Sequence, residues 1–156
     1  VYVYDPYVEK EKVKISGAIP VDNISENLSK MDAVTLHCPK NDETTDLFTK
    51  QEFDLMKKSS FIINCARGGI LNEEDLYEAL TRKKIAGAGL DVFDVEPTPL
   101  SNPLFKLNNV ILSPHIAGVT IESTVRMATE TVQNVLDVLD DKINQSVVVN
   151  NKEIGM

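Results

Sequence analysis

Short apolar runs rich in β-branched residues alternate along the chain with segments whose apolar residues recur at helical spacing. Strands are predicted at residues 1–4, 33–38, 60–66, 86–93 and 110–113. Helices are predicted at residues 8–15, 22–30, 49–57, 73–82 and 120–141. Because strands and helices alternate, the pattern predicts an α/β fold built around a mostly parallel sheet.

Local signals fix several of these boundaries. The segment Thr49–Glu52 reads Thr-Lys-Gln-Glu, the signature of a capping box at a helix start, and Asn72 is placed to cap the next helix. The apolar run at 60–66 is typical of a parallel strand buried on both faces. Residues 96–109 are rich in proline and predict no regular element. The apolar triplet at 147–149 predicts either a strand or a segment that packs on another domain.

Composition narrows the classes of protein that remain. The 156 residues suffice for one domain with a sizeable core, and their net charge of −8 disfavours nucleic-acid binding because an acidic surface repels phosphates. No apolar run approaches the roughly 20 residues that cross a bilayer, so we expect no membrane partner. The two cysteines lack metal-ligand spacing and favour a reduced, cytoplasmic location. The chain opens inside a predicted strand without an initiator Met, so we expect a fragment of a longer protein.

Three residues with complementary chemistry lie just beyond three of the predicted strands. They are Arg67, Glu96 and His115. The carboxyl ends of parallel strands meet at one edge of a sheet, so these residues are expected to converge although they are far apart in sequence. A guanidinium grips a carboxylate, an imidazole exchanges a proton near neutral pH, and an acid fixes the imidazole tautomer. This set suits coupled hydride and proton transfer.

Each of the three residues also has a simpler explanation. Arg67 could make a surface salt bridge, His115 could be a hydrogen-bonded structural histidine, and Glu96 could be an exposed loop acid. Each explanation is reasonable by itself, but all three residues at three strand ends favour a functional site.

Other candidates follow the remaining strands. Asp5 lies where an acid accepts hydrogen bonds from dinucleotide ribose hydroxyls and repels a 2′-phosphate, or it is only a turn former before Pro6. The GxGxxG finger that precedes such an acid is absent from the 156 residues. His37 could be the catalytic histidine instead, but its apolar strand offers no obvious acid partner. We favour a structural or cofactor-wall role for His37 and Cys38, with core packing as the alternative, and Cys65 lines either the nicotinamide side or the core.

Two further residues are candidates for contact with a cofactor. Asp91 ends a predicted strand, where it could meet a nicotinamide carboxamide or help to position the nearby arginine. Gly118 opens the last helix and allows close backbone approach to a ligand.

Five motifs, in the same order along the chain, resemble those of the D-isomer-specific 2-hydroxyacid dehydrogenases. They are Tyr4–Tyr7, Leu36–Pro39, Asn64–Gly69, Gly89–Phe93 with Glu96–Pro97, and Ser113–Gly118. The resemblance implies a doubly wound, Rossmann-like parallel sheet that lacks its first βα unit. It implies a partial dinucleotide-binding domain at 1–119 and, at 120–156, a helix and tail that return toward a substrate domain.

The resemblance also implies roles for individual residues. Arg67 would bind and polarise the substrate, Glu96 would pair with the histidine, and His115 would be the acid/base. NAD contacts are implied at Asp5, Cys38, Pro39, Cys65, Ala66, Arg67, Asp91, His115 and Gly118. Asp5 favours NAD over NADP.

The activity implied by the resemblance is hydride transfer between NAD(H) and a D-2-hydroxy acid or 2-keto acid, by a cytoplasmic homodimer. The lactate, glyoxylate or hydroxypyruvate, and 3-phosphoglycerate branches all stay open, whereas Glu96 disfavours the formate branch. Without the glycine finger and a second domain, we expect residues 1–156 alone to have little or no turnover. Two alternatives remain: an NAD(H)-sensing, corepressor-type binding protein of the same fold, and a dimerisation core.

Overall fold

The structure, a computed structural model, describes residues 1–150. Its strands are β1 (Tyr2–Val3), β2 (Ile19–Pro20), β3 (Ala33–Leu36), β4 (Phe61–Asn64), β5 (Gly87–Leu90) and β6 (Val110–Leu112). Its α-helices are α1 (Lys10–Ile15), α2 (Ser25–Leu28), α3 (Lys50–Leu55), α4 (Glu73–Thr81) and α5 (Ile121–Leu139). Two 3₁₀ helices span Pro103–Lys106 and Gln145–Val147.

All strand pairs are parallel, which confirms the predicted α/β class. The strands β3, β4, β5 and β6 form one sheet in that order, and β1 pairs with β2 in a separate sheet. In the doubly wound order 3-2-1-4-5-6, the first strand lies in the middle of the sheet. Two separate parallel sheets are therefore the arrangement expected when residues 1–156 do not supply that first strand.

The core lies around β4 and β5, because those strands have neighbours on both edges. Ile62 of β4 and Leu90 of β5 are buried, as the apolar runs predict. Helices α3 and α4 contribute Phe53 and Leu76, and the α2 side chain Leu28 joins the same cluster.

The predicted helix starts are confirmed at atomic detail. The Thr49 hydroxyl accepts a hydrogen bond from a first-turn backbone N–H, and the Glu52 carboxylate accepts the Thr49 N–H at 3.0 Å, which closes the capping box. The Asn72 side chain accepts the Asp75 N–H at 3.1 Å. Both caps satisfy backbone donors that have no partner within the helix.

Several boundaries and one short strand differ from the predictions. The strands predicted at 33–38 and 86–93 end at Leu36 and Leu90, because the residues that follow turn away from the sheet to form loops. β2 was not predicted, since two residues carry no periodicity and are held only by pairing with β1. A strand at 147–149 is wrong for the described residues: Val147 ends a 3₁₀ helix. The rest of that predicted tail, 151–156, lies outside the described residues.

The chain separates into two compact units, Val1–His115 and the residues from Ile116 onward. In the second unit, Thr120 caps α5, which has no buried residue. None of the helices in the described range 1–150 is long and apolar enough to cross a membrane. The predicted domains at 1–119 and 120–156 stay a prediction.

We expect Leu76→Ala to lower the free energy of unfolding by about 2–5 kcal/mol, because the side chain is fully buried and its removal leaves a cavity. Thr81→Ala, at an exposed position in the same helix, serves as control and should change the free energy of unfolding by no more than about 0.5 kcal/mol. Urea denaturation followed by circular dichroism measures both. Equal stability of the two variants would show that α4 does not anchor the core.

Candidate active site

Three neighbouring strands end at one edge of the sheet, and the loops that follow them carry the candidate side chains. β4 ends at Asn64 and leads into the turn that carries Arg67. β5 ends at Leu90 and leads into the loop that carries Glu96. β6 ends at Leu112, shortly before His115. Because the strands are parallel and adjacent, their carboxyl ends share an edge, and the predicted convergence has a structural basis.

Glu96 and His115 are joined directly. The His115 Nδ1 and the Glu96 Oε2 lie 2.8 Å apart, and the second carboxylate oxygen, Oε1, accepts the Phe93 backbone N–H at 2.9 Å. With Nδ1–H donating to the carboxylate, the ring keeps Nε2 for another partner. The acid and the imidazole that the sequence placed at separate strand ends therefore form one unit.

The His115 backbone is fixed as well as its ring. Its φ is +57°, in the left-handed region that histidine adopts more readily than most residues. Its N–H donates to the Asp91 carbonyl oxygen at 2.8 Å. The loop after β6 is thus tied to the end of β5, next to the loop that carries the carboxylate.

The surroundings of Glu96 favour its ionised form. The hydrogen bond from His115 is the main cause of a pKa below the usual range, followed by the Phe93 N–H, while the positive charge of Arg67 acts in the same direction. Partial desolvation opposes these effects but does not outweigh them. The carboxylate is therefore a charged acceptor throughout the neutral range.

The turn that presents Arg67 is held by Asn64, which is 1% exposed. The Asn64 amide donates to the Arg67 carbonyl oxygen at 2.9 Å, and its carbonyl oxygen accepts the Ala66 N–H at 3.0 Å. The exposed guanidinium donates one hydrogen bond to the Ala66 carbonyl at 2.7 Å. Its remaining donors can engage an anion in the fork geometry typical of arginine.

The two glycines after Arg67 let this turn pack on the neighbouring loop. A Cβ on Gly68 would lie 1.8 Å from the Phe93 carbonyl oxygen, so only glycine allows the two backbones this close. Gly69 has a φ of +76°, and its backbone N–H partly opposes the rise in the pKa of the Asp94 carboxyl that desolvation causes. The guanidinium and the carboxylate at position 96 are thus carried by loops in direct backbone contact.

A cavity of about 430 Å³ opens beside Arg67 at the ends of β3 and β4. It is lined by His37, Cys38, Pro39, Lys40, Cys65, Ala66 and Arg67. Five of the predicted cofactor contacts therefore share one cavity. Burial raises the pKa of the Cys38 thiol, which also packs against the core, whereas Cys65 is exposed. His37 is exposed and bonded to Thr35 at 2.9 Å, so its core alternative is wrong.

The other predicted residues lie elsewhere. Asp5 is exposed after β1 and accepts the Tyr7 N–H at 2.9 Å, so it is a turn former whose carboxylate also faces solvent. Asp91 is 3% exposed and accepts the Ser113 hydroxyl at 2.6 Å, so it braces two strand ends. Gly118 belongs to the second unit, where its carbonyl accepts the Ser123 hydroxyl at 2.7 Å near the start of α5.

Four residues at this edge were missed by sequence reasoning: Lys40, Asn64, Glu73 and Ser113. An asparagine that ends a buried strand was a usable signal for Asn64, because a buried amide requires local partners. Lys40 and Glu73 gave no such signal, since their positions depend on contacts between loops.

Comparison with known proteins identifies the family. Residues 1–117 match the model of the D-isomer specific 2-hydroxyacid dehydrogenase, NAD binding domain. The chain belongs to this family. The resemblance inferred from the five motifs is thereby confirmed, as are the Rossmann-like fold and NAD as the family's cofactor.

Individual relatives show how much of a dehydrogenase the chain represents. It is 41% identical over 145 residues to the D-3-phosphoglycerate dehydrogenase of Methanocaldococcus jannaschii, covering 93% of this chain and 28% of that protein. It is 43% identical over 127 residues to the glyoxylate reductase of Thermofilum pendens, covering 81% and 37%. The chain thus spans less than two-fifths of the length of these curated relatives.

Solved structures agree with the fold. The NAD-complexed D-isomer specific 2-hydroxyacid dehydrogenase from Lactobacillus delbrueckii ssp. bulgaricus superposes with a TM-score of 0.82 at 30% identity, covering 95% of this chain and 48% of that one. The D-lactate dehydrogenase of Aquifex aeolicus, complexed with NAD and lactic acid, gives 0.79 at 32%, covering 91% and 46%. Members of the family are oxidoreductases that use small 2-hydroxy or 2-keto acids.

The residues present fit part of an NAD molecule. The cavity beside Arg67 has space and mixed polar and apolar walls suited to a nicotinamide and its ribose, and the exposed Asp5 carboxylate offers acceptors to ribose hydroxyls. A glycine finger for the pyrophosphate is not part of residues 1–156.

We expect the stability lost in Glu96→Gln to depend on pH. Because the folded-state pKa of Glu96 is lowered, its stabilising contribution is complete above the unfolded value of about 4.3. This contribution is then lost as the pH falls through the lower pKa that Glu96 has in the folded state. The difference in unfolding free energy between wild type and variant should thus shrink on acidification, as measured by urea denaturation from pH 7 to pH 3.

The exposed Glu74→Gln is the control, since no hydrogen bond or ion pair involves its side chain among residues 1–150. A Glu96→Gln difference that is independent of pH would show that the carboxylate is not preferentially ionised in the folded state.

Proposed function

We propose that this chain is the NAD-binding part of a D-2-hydroxyacid dehydrogenase, with His115 as acid/base, Glu96 as its partner and Arg67 as the substrate-binding residue. The observation that supports this most strongly is the 2.8 Å contact between Glu96 and His115 at adjacent parallel strand ends. The family match makes an oxidoreductase role the natural reading of that contact.

In this proposal, the imidazole acts through Nε2. The Glu96 carboxylate accepts a hydrogen bond from Nδ1–H, which fixes the tautomer and the orientation of the ring. The protonated Nε2 gives its proton to the oxygen of a 2-keto acid, and in the reverse direction the neutral ring removes it from the hydroxyl. NADH, when bound, would supply the hydride that the carbonyl carbon of the keto acid accepts.

Arg67 has two tasks in the same proposal. Its guanidinium grips the substrate carboxylate in paired hydrogen bonds and stabilises the negative charge that develops on the carbonyl oxygen. The hydrogen bonds from Asn64 fix the turn, so little freedom is lost when substrate binds.

Asp5 supports a preference for NAD over NADP, because its exposed carboxylate would accept ribose hydroxyls and repel a 2′-phosphate. The other proposed NAD contacts are Cys38, Pro39, Cys65, Ala66, Asp91 and Gly118. Asp91 is buried, so it would support the site indirectly, by accepting the hydrogen bond from the Ser113 hydroxyl.

We further propose that residues 1–156 alone have little or no turnover, and that the whole protein is a cytoplasmic homodimer. Relatives named D-3-phosphoglycerate dehydrogenase and glyoxylate reductase are similarly close to this chain. D-3-phosphoglycerate and glyoxylate are therefore both candidate substrates.

The test of this function is NADH oxidation by the full-length protein, followed at 340 nm, with pyruvate, glyoxylate, hydroxypyruvate and its 3-phosphate. Turnover of at least one acid supports a dehydrogenase. Tight NADH binding without turnover of any acid would instead favour a corepressor-type sensor of the same fold. Light scattering of the same preparation reports whether it is a dimer.

We expect His115→Gln to lower kcat by about 100- to 10,000-fold because the proton donor is removed, and to weaken NADH binding far less, because the other proposed NAD contacts remain. Arg67→Gln should lower kcat/KM and raise KM for the keto acid. Arg82→Gln removes the same group from an exposed helix end and serves as control. Steady-state kinetics with fluorescence titration of NADH measures these effects. Activity of His115→Gln within about tenfold of wild type would refute the assignment.

A further inference from the structure

One side chain outside the Arg67, Glu96 and His115 set holds both ends of the loop that carries the carboxylate. Glu73, in the first turn of α4, accepts the Asp94 backbone N–H at 2.6 Å through Oε1. Its other oxygen, Oε2, accepts the Asn102 side-chain N–H at 2.9 Å. Residues 94 and 102 bracket Glu96, so a single carboxylate closes the loop onto the helix.

Both contacts continue into elements that are themselves fixed. The Asn102 side-chain oxygen Oδ1 caps the 3₁₀ helix by accepting the Leu104 N–H at 3.0 Å, and Leu104 is fully buried. Asp94 directly follows Phe93, whose own N–H donates to the Glu96 carboxylate at 2.9 Å. Two consecutive backbone N–H groups thus go to two different glutamates, one from the loop and one from the helix.

The Glu73 carboxylate binds the Asp94 backbone N–H although the Asp94 side chain is itself an acid. Desolvation raises the pKa of the Asp94 carboxyl, and the nearby negative charge of Glu73 raises it further. Glu73 therefore lies close to another acid at an electrostatic cost. The two hydrogen bonds that it accepts from Asp94 and Asn102 offset that cost.

We propose that Glu73 is a positioning residue for the proposed dehydrogenase reaction, holding the 94–102 loop so that Glu96 stays aligned with His115. This inference rests on the proposed function. Glu73 touches no reacting atom; it acts through the backbone at residue 94 and through Asn102. An ionised carboxylate suits the position because it offers two acceptors and no donor.

The isosteric Glu73→Gln variant tests this chemistry. A glutamine has one acceptor and one donor at the end of its side chain, so one of its two partners must lose a hydrogen bond. Glu74→Gln is the matched control: it removes the same charge one position along the same helix turn, from an exposed side chain without a hydrogen bond or ion pair among residues 1–150.

The first readout is hydrogen–deuterium exchange of the full-length protein, which does not depend on activity. We expect peptides covering residues 93–102 to exchange about tenfold faster in Glu73→Gln than in wild type or Glu74→Gln, because a loop hydrogen bond has been removed. Unchanged exchange in this segment would overturn the proposal, whether or not the protein oxidises NADH.

The second readout is kinetic and separates positioning from general destabilisation. We expect Glu73→Gln to lower kcat about tenfold, with the Kd for NADH unchanged. In a Glu96→Gln background the same substitution should change kcat less than about twofold, since the group that it positions is already gone. Fully additive losses, or equal losses in Glu74→Gln, would overturn the proposal.

The two readouts keep the two proposals apart. Wild-type protein that turns over none of the 2-keto acids contradicts the proposed function. Faster exchange at 93–102 in Glu73→Gln would still show that Glu73 holds this loop. If the wild type turns over a 2-keto acid and residues 93–102 of Glu73→Gln exchange at the wild-type rate, only the positioning role of Glu73 is contradicted.

Discussion

The backbone of the Arg67 turn lies against the backbone at Phe93, and the absence of a side chain at Gly68 makes this contact possible. A cation and an acid that belong to different strands are thereby fixed by main chain rather than by long, mobile side chains. The loop after the third strand, β6, is also fixed through main chain, because the His115 N–H donates a hydrogen bond to the Asp91 carbonyl. Loops braced in this way give a precision that a sheet edge alone does not provide.

The electrostatics of this edge follow from the same packing. The exposed Glu96 carboxylate accepts a side-chain and a backbone hydrogen bond and lies in the field of a guanidinium, so its pKa is lowered and it stays charged at neutral pH. The same carboxylate holds the imidazole through Nδ1, so the ring presents Nε2 to any further partner.

Sequence reasoning was most reliable where the signal is local. The capping box at Thr49, the cap at Asn72 and the buried strand around Ile62 each depend on a few consecutive residues, and all three were predicted. The convergence of strand ends was also predictable, because parallel topology dictates it. The short strand β2 and the clamp formed by Glu73 were not, since each exists only through a partner that is remote in sequence.

The two sheets differ in how firmly they are held. β1 and β2 contribute two residues each and no buried side chain, whereas Ile62 and Leu90 in the larger sheet are almost fully enclosed. A small pair without a core opens locally at lower free energy than the rest of the molecule. Asp5 lies just after that pair, in a turn where its carboxylate accepts the Tyr7 N–H. Within the described residues 1–150, mild denaturant or heating is therefore expected to open the β1–β2 pair before the sheet of β3 to β6.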